Sequence, residues 1–165
     1  MTGRDAIMAR VRANLPMGDR PLPTVPMFDQ PSPTDLLATF ADRLKLMGGE
    51  LLQPGADDPL APVRARIAAA KVVCSATPEI EGNRRLHSDT KPSDLADVDI
   101  GIVRAAFAVA ETGSVCLTEQ ELGVNTLGYL PQHLIVLLDP RDIVVNLHHA
   151  YRRPEWRRAR YAVFH

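Results

Sequence analysis

Short runs of consecutive apolar residues, separated by stretches with helical spacing, constrain this chain more than any other feature. Lys71-Val72-Val73-Cys74-Ser75, Asp99-Ile100-Gly101-Ile102-Val103, Val115-Cys116-Leu117-Thr118 and Leu134-Ile135-Val136-Leu137-Leu138 place apolar side chains on both faces of a strand. A strand tolerates that pattern when both faces are covered, as in a parallel sheet between helices. The intervening segments supply such helices. Leu36, Leu37, Phe40, Leu44 and Met47 form one stripe, with Gly48-Gly49 closing it. Leu60, Val63 and Ile67 form a second, with Asp57 or Asp58 as the cap and Pro59 at the first helical position. Further expectations are a short strand at Glu50–Gln53, one helical turn at 93–96, a helix carrying Ile143, Val144, Leu147, His148 and Tyr151, and a last strand at 161–164. The fold class is α/β with a mostly parallel sheet.

The N-terminal fifth reads differently. Ile7, Met8, Val11 and Leu15 have helical spacing until Pro16 stops it. Six of the chain's 14 prolines lie between Leu15 and Pro33. That density excludes a central strand or helix, so an extended, partly polyproline-like arm is expected. The chain divides into a helix and arm over 1–33 and an α/β domain over 34–165.

Composition excludes several classes. Nineteen Lys+Arg against 20 Asp+Glu give a net charge of −1, which offers no global attraction for nucleic acid. No apolar run reaches the roughly 18 residues of a membrane span. The first ten residues have scattered charges and no apolar core, unlike a secretory signal. A cytoplasmic location is expected. Cys74 and Cys116 cannot ligate an iron–sulfur cluster alone and read as small buried residues. No metal or cofactor is expected.

The densest chemistry lies in Ala110-Glu111-Thr112-Gly113-Ser114, a polar turn between two apolar segments. At the end of sheet strands, such a turn sits where α/β folds bind ligands. Gly113 would let backbone N–H groups approach an anion, and Thr112 and Ser114 add donors. Glu111, beside Ala110 and Val109, is the candidate acid, base or nucleophile. The competing reading is a tight turn whose Glu caps backbone amides. Arg104 could help hold a small carboxylate or phosphate. His133, at the head of the longest apolar run, could share a proton with the Glu111 turn or bind an anion. It could equally be a half-buried histidine bonded to backbone.

The stretch from Gly101 through Ala110-Glu111-Thr112-Gly113-Ser114, followed by Leu130-Pro131-Gln132-His133, resembles the LUD (lactate utilization) domain family, nearest to its lactate-utilization protein C type. The resemblance covers roughly 34–165. It implies a three-layer α/β/α Rossmann-like fold, similar to ribose-5-phosphate isomerase, glucosamine-6-phosphate deaminase and CoA transferases. It implies a cluster-free component that works with iron–sulfur partner proteins in cytosolic oxidation of L-lactate to pyruvate. Members usually continue with a Gly-Pro-Ser…Ala-Asp-Ile-Glu stretch and a closing strand, which this sequence lacks. A sheet edge left uncovered would favour a homo-oligomer.

Two other readings stay open: a stand-alone enzyme using Glu111 on a carboxylate, sugar phosphate or thioester, and a non-catalytic ligand-binding module. His148 and His149 are adjacent and face apart on a helix, which suits no metal pair. Arg152, Arg153, Arg157, Arg158 and Arg160 surround one acid, Glu155, and read first as a solvated face. His87-Ser88-Asp89-Thr90 is a polar loop with no triad geometry.

Overall fold

The computed structural model describes every residue except Met1, Met17, Asp29, Pro31 and Ser88. The His87–Thr90 loop and the proline arm are therefore described in part. The helices are α1 (Gly3–Ala13), α2 (Leu36–Leu46), α3 (Ala61–Ile67), α4 (Glu119–Leu122), α5 (Leu147–Ala150) and α6 (Pro154–Arg158). The strands are β1 (Val73–Ser75), β2 (Ile100–Arg104), β3 (Phe107–Val109), β4 (Ser114–Thr118), β5 (His133–Leu137), β6 (Ile143–Val144) and β7 (Ala162–Phe164).

Two chain segments run side by side and tie the domain together. β2 pairs in parallel with β5, and β3, which follows β2 directly, pairs in parallel with β6, which follows β5. The Ala105 N–H donates to Leu137 O at 2.9 Å and carries the pairing across the junction. On the other side of this pair, β1 extends the first half in parallel and β4 extends the second half antiparallel. The result is a parallel sheet, β1-β2-β5, continued by a mixed sheet, β6-β3-β4-β7.

Burial explains the layers. Ile100, Ile102 and Leu137 face Leu60, Val63 and Ile67 of the α3 region. Val103, Leu134 and Val136 face the other way, into a core with Phe40 of α2, Leu95 and Leu127. Helices thus cover both faces of the parallel sheet, giving the expected three-layer α/β architecture. Phe107, Val109 and Cys116 pack under Ala150, Trp156 and Phe164, so α5 and α6 cover one face of the mixed sheet.

Several local expectations change. Glu50–Gln53 forms no strand: Leu51 and Leu52 pack into opposite cores, and the segment runs extended without a ladder partner. Asp58 does accept the Leu60 N–H at 3.1 Å, but α3 begins later, with Pro62 rather than Pro59 in its first turn. Ile143 and Val144 are strand rather than helix, because β3 offers them a ladder and their branched side chains suit it. Only four residues of the expected 143–151 helix remain, as α5. The turn at 93–96 appears as a 3₁₀ turn over Pro92–Leu95.

α1 is capped at both levels by Thr2 and Asp5 in a capping box, yet none of its residues is buried. Its stripe of Ile7, Met8, Val11 and Leu15 faces solvent. The described residues between 15 and 28 hold no helix or strand. Asn146 anchors the arm to the domain: only 3% exposed, it donates from Nδ2 to Met27 O at 2.7 Å and to Phe28 O at 3.1 Å. The Phe28 ring lies 4.9 Å from that of His148.

Candidate functional site

The Ala110–Gly113 turn closes the β3–β4 hairpin, and the structure shows what each residue does there. Gly113 adopts φ +71°, and its N–H donates to Val109 O at 2.9 Å. A Cβ at this position would lie 2.6 Å from the Arg43 carbonyl carbon of α2 and closer still to the Leu44 nitrogen. Glycine is therefore required twice, by its left-handed backbone and by the helix lying on it. Its amide is spent within the hairpin and is not available to a ligand anion.

Glu111 is exposed, not walled by apolar side chains. Its Oε2 accepts the Leu147 N–H at 3.2 Å, and its own N–H donates to Val145 O at 3.0 Å. The carboxylate thus braces the start of α5, as in the tight-turn reading. Ser114 begins β4 and pairs with Val109. Thr112 is half-buried, and its hydroxyl is buried without a partner.

The parallel register separates the other candidates from this turn. His133 stands level with Ile100, at the N-terminal end of the sheet. Glu111 lies beyond the C-terminal end of β3, on the far side of the β2–β3 segment. The two cannot share a proton, because parallel pairing puts the start of β5 beside the start of β2. Arg104 ends β2, and its Nε donates to Glu79 Oε1 at 2.9 Å. It is committed to the end of the parallel sheet rather than to Gly113 and Ser114.

The end of the parallel sheet holds chemistry that sequence reading missed. The C-terminal ends of β1, β2 and β5 bring together Glu79, Arg104, Asp139 and Arg141. The Thr77 hydroxyl and the Arg104 guanidinium hold the Glu79 carboxyl below the usual carboxylate range. Arg141, bonded through Nε at 3.0 Å, holds Asp139 at about 2, and Arg104 adds to the effect. Beside them a crevice of about 600 Å³ opens, lined by Ser75, Thr77, Asn83, Arg84, Arg85 and His87 among others. Thr77 is 8% exposed. Arg84 is held by Asp97 at 2.9 Å, whereas Arg85 reaches the crevice with no acidic partner among the described residues. The available signal was positional: a Ser-x-Thr directly after a buried strand, and an Arg-Arg pair in the following loop. Neither spacing forms a recognisable motif.

A second hollow, about 560 Å³, lies between Pro92, Glu119, Val124, Thr126, Arg160 and Tyr161. Glu119 closes one wall by accepting the N–H groups of Arg160 and Tyr161, each at 3.0 Å, which lowers its carboxyl from the usual range. Both cysteines are buried, and burial raises both thiols, Cys116 to about 12. Among the described residues, no three His, Cys, Asp or Glu gather as metal ligands.

The LUD domain family model matches residues 70–164, which include both sheets, the Glu111 turn and the crevice. The chain belongs to the LUD domain family. A solved structure, that of a DUF162 family protein from Deinococcus radiodurans, superposes with TM-score 0.68 at 18% identity, over 79% of this chain and 85% of that one. At that identity the likeness speaks for the fold. No curated protein matches the chain. Within the LUD domain, the string that makes the family recognisable is thus the hairpin turn held under α2, while the open crevice lies at the end of the neighbouring parallel sheet.

Proposed function

We propose that this LUD domain protein is a subunit, carrying no iron–sulfur cluster of its own, of a cytosolic system that oxidises L-lactate to pyruvate together with iron–sulfur partner proteins. The observation that carries this reading is the LUD domain spanning 70–164. The braced Glu111 and the spent Gly113 amide favour a subunit over an enzyme built on that turn. Buried Cys74 and Cys116 are unsuited to holding a cluster. The docking element in this reading is α1, whose apolar stripe and Arg4, Arg10 and Arg12 face outward on a tether anchored at Asn146. The full chain should retrieve iron–sulfur proteins from an extract grown on lactate. The double variant Ile7→Glu, Val11→Glu, which leaves the Asn146 anchor untouched, should retrieve none. Retrieval that is equal for both proteins removes α1 from this role, and no retrieval by either removes the subunit reading.

A second reading has its own observation. The crevice beside Arg85 could take a small carboxylate or phosphate, as in a ligand-binding module or a stand-alone enzyme. Titration with L-lactate and with inorganic phosphate, read by calorimetry, should give binding that Arg85→Ala abolishes. No heat from either ligand rejects this reading.

A further inference from the structure

The stretch 151–160, which runs through α6, concentrates charge of one sign. It holds five arginines, no lysine and one acid, Glu155. It carries +4 in a chain whose total is −1, so the rest of the chain carries −5. The single acid does not neutralise the exposed arginines. Glu155 Oε1 accepts from Arg153 at 2.9 Å. The same guanidinium reaches Asp142 Oδ1 at 3.1 Å and lies over the Phe107 ring, 5.4 Å from its centroid. Arg153 is thus turned inward and belongs to the packing. Arg152, Arg157 and Arg158 are exposed and have no acidic partner among the described residues.

Aromatic packing holds these arginines on one short platform. The Trp156 ring stacks on Phe164 at 4.9 Å, and the Tyr151 ring lies 5.2 Å from Trp156. Arg152 follows Tyr151 and Arg157 follows Trp156, so that ring contact brings the two segments to the same part of the surface. The Arg152 N–H is fixed on His149 O and the Arg157 N–H on Arg153 O, each at 3.1 Å. Trp156 and Phe164 pack in turn against the cluster of Phe107 and Cys116. Tyr151 keeps 47% of its surface open. An open tyrosine among arginines on a fixed backbone has the composition of an interface hot spot: the rigid ring supplies contact area and each guanidinium supplies paired donors.

We propose that Tyr151, Arg152, Arg157 and Arg158 form a docking surface for a second protein that presents a cluster of aspartate and glutamate side chains. Charge complementarity selects this occupant. A planar guanidinium fork matches a carboxylate two bonds at a time, which an ammonium cannot do, and no lysine stands in the stretch. A long nucleic acid crossing the patch would continue over a molecule whose remaining charge is −5, whereas a compact acidic face needs only the patch. None of the three arginines lines either hollow described above, so the surface suits a facing protein rather than an enclosed small anion. It uses no residue of α1 and does not rest on the lactate reading.

A fluorescent peptide of about ten glutamates stands in for such a face at low salt, beside single-stranded DNA of matched charge and vesicles containing phosphatidylserine. The full chain should bind the peptide more tightly than the DNA or the vesicles. The triple variant Arg152→Glu, Arg157→Glu, Arg158→Glu should weaken peptide binding about tenfold with an unchanged unfolding midpoint. The triple variant Arg152→Lys, Arg157→Lys, Arg158→Lys keeps the charge but loses the forks, and should weaken it about threefold. Arg4→Glu, Arg10→Glu, Arg12→Glu in α1 changes the net charge as much as the first variant and should leave binding within about twofold. No peptide binding, equal weakening by the two charge reversals, or an undiminished lysine variant overturns the proposal. So does tighter binding of DNA or vesicles. Self-association of the chain that the 152/157/158 reversal abolishes also overturns it, by making a second copy the occupant.

Discussion

The Glu111 turn and the crevice at the end of β1 are both polar loops at strand ends, yet they do opposite things. In the turn, almost every polar group is spent inside the protein: the Gly113 amide on Val109, the Glu111 carboxylate on Leu147, the Glu111 amide on Val145. In the crevice, Thr77 is bonded to Ser75 and Glu79, but exposed Arg85 lines the open space with no acidic partner among the described residues. The contrast teaches that a distinctive string can mark packing, whereas free chemical capacity can reside where the sequence looks ordinary. A turn lying against a helix must fit backbone to backbone, and few residues satisfy that. A crevice wall has to supply charge, which many sequences can do.

The largest test of this contrast is Gly113→Ala. It combines a left-handed backbone with a clash against the α2 main chain, and should cost about 3 kcal/mol in denaturant unfolding. A loss under about 1 kcal/mol would mean that α2 yields and that the turn is not a packing device. Next comes Asn146→Ala, which removes the α5 cap and both arm contacts. A loss of about 2 kcal/mol is expected, with the arm more readily cut by protease. Glu111→Gln keeps the shape and an acceptor for Leu147. Its stability should change by less than about 0.5 kcal/mol, and lactate-dependent growth should survive. Loss of growth with an intact fold would turn the turn back into a catalytic site.

A subtler test concerns pH. Glu119 has a carboxyl below its ordinary 4.5 in the fold, because two backbone N–H groups bond to it. Its contribution is present above pH 4.5 and is lost as pH falls below that. Near-ultraviolet circular dichroism of Tyr129 and Tyr161 should therefore drift on acidification, and Glu119→Gln should already resemble the acid form at pH 7. The smallest expected stability effect is that of Arg85→Ala, within about 0.5 kcal/mol, against complete loss of any anion binding in the crevice. A large destabilisation there would make Arg85 structural and erase the difference between the two loops.

Much of the fold is legible in the residues. β1, β2, β4 and β5 lie where consecutive apolar residues place them, because a strand buried on both faces needs such a run. α2 lies where its stripe and Gly48 predict. β3 and β6 were not legible as strands. They are two or three residues long and exist because they lie beside each other, which no local window reveals. Gly113 was legible as special, but not as a packing glycine, since α2 lies some 70 residues earlier in the chain.

By itself, the sequence determined the α/β class, the proline-rich arm, the buried cysteines and the family, because these rest on local composition, periodicity and short strings. Only the tertiary structure decided the rest. Parallel register put His133 at one end of the sheet and Glu111 beyond the other. Close approach of α2 converted Gly113 from an expected anion cradle into a packing contact. Strand order left the most apolar strand at an edge. Each of these depends on which distant segments meet, and a linear pattern carries no direct record of that.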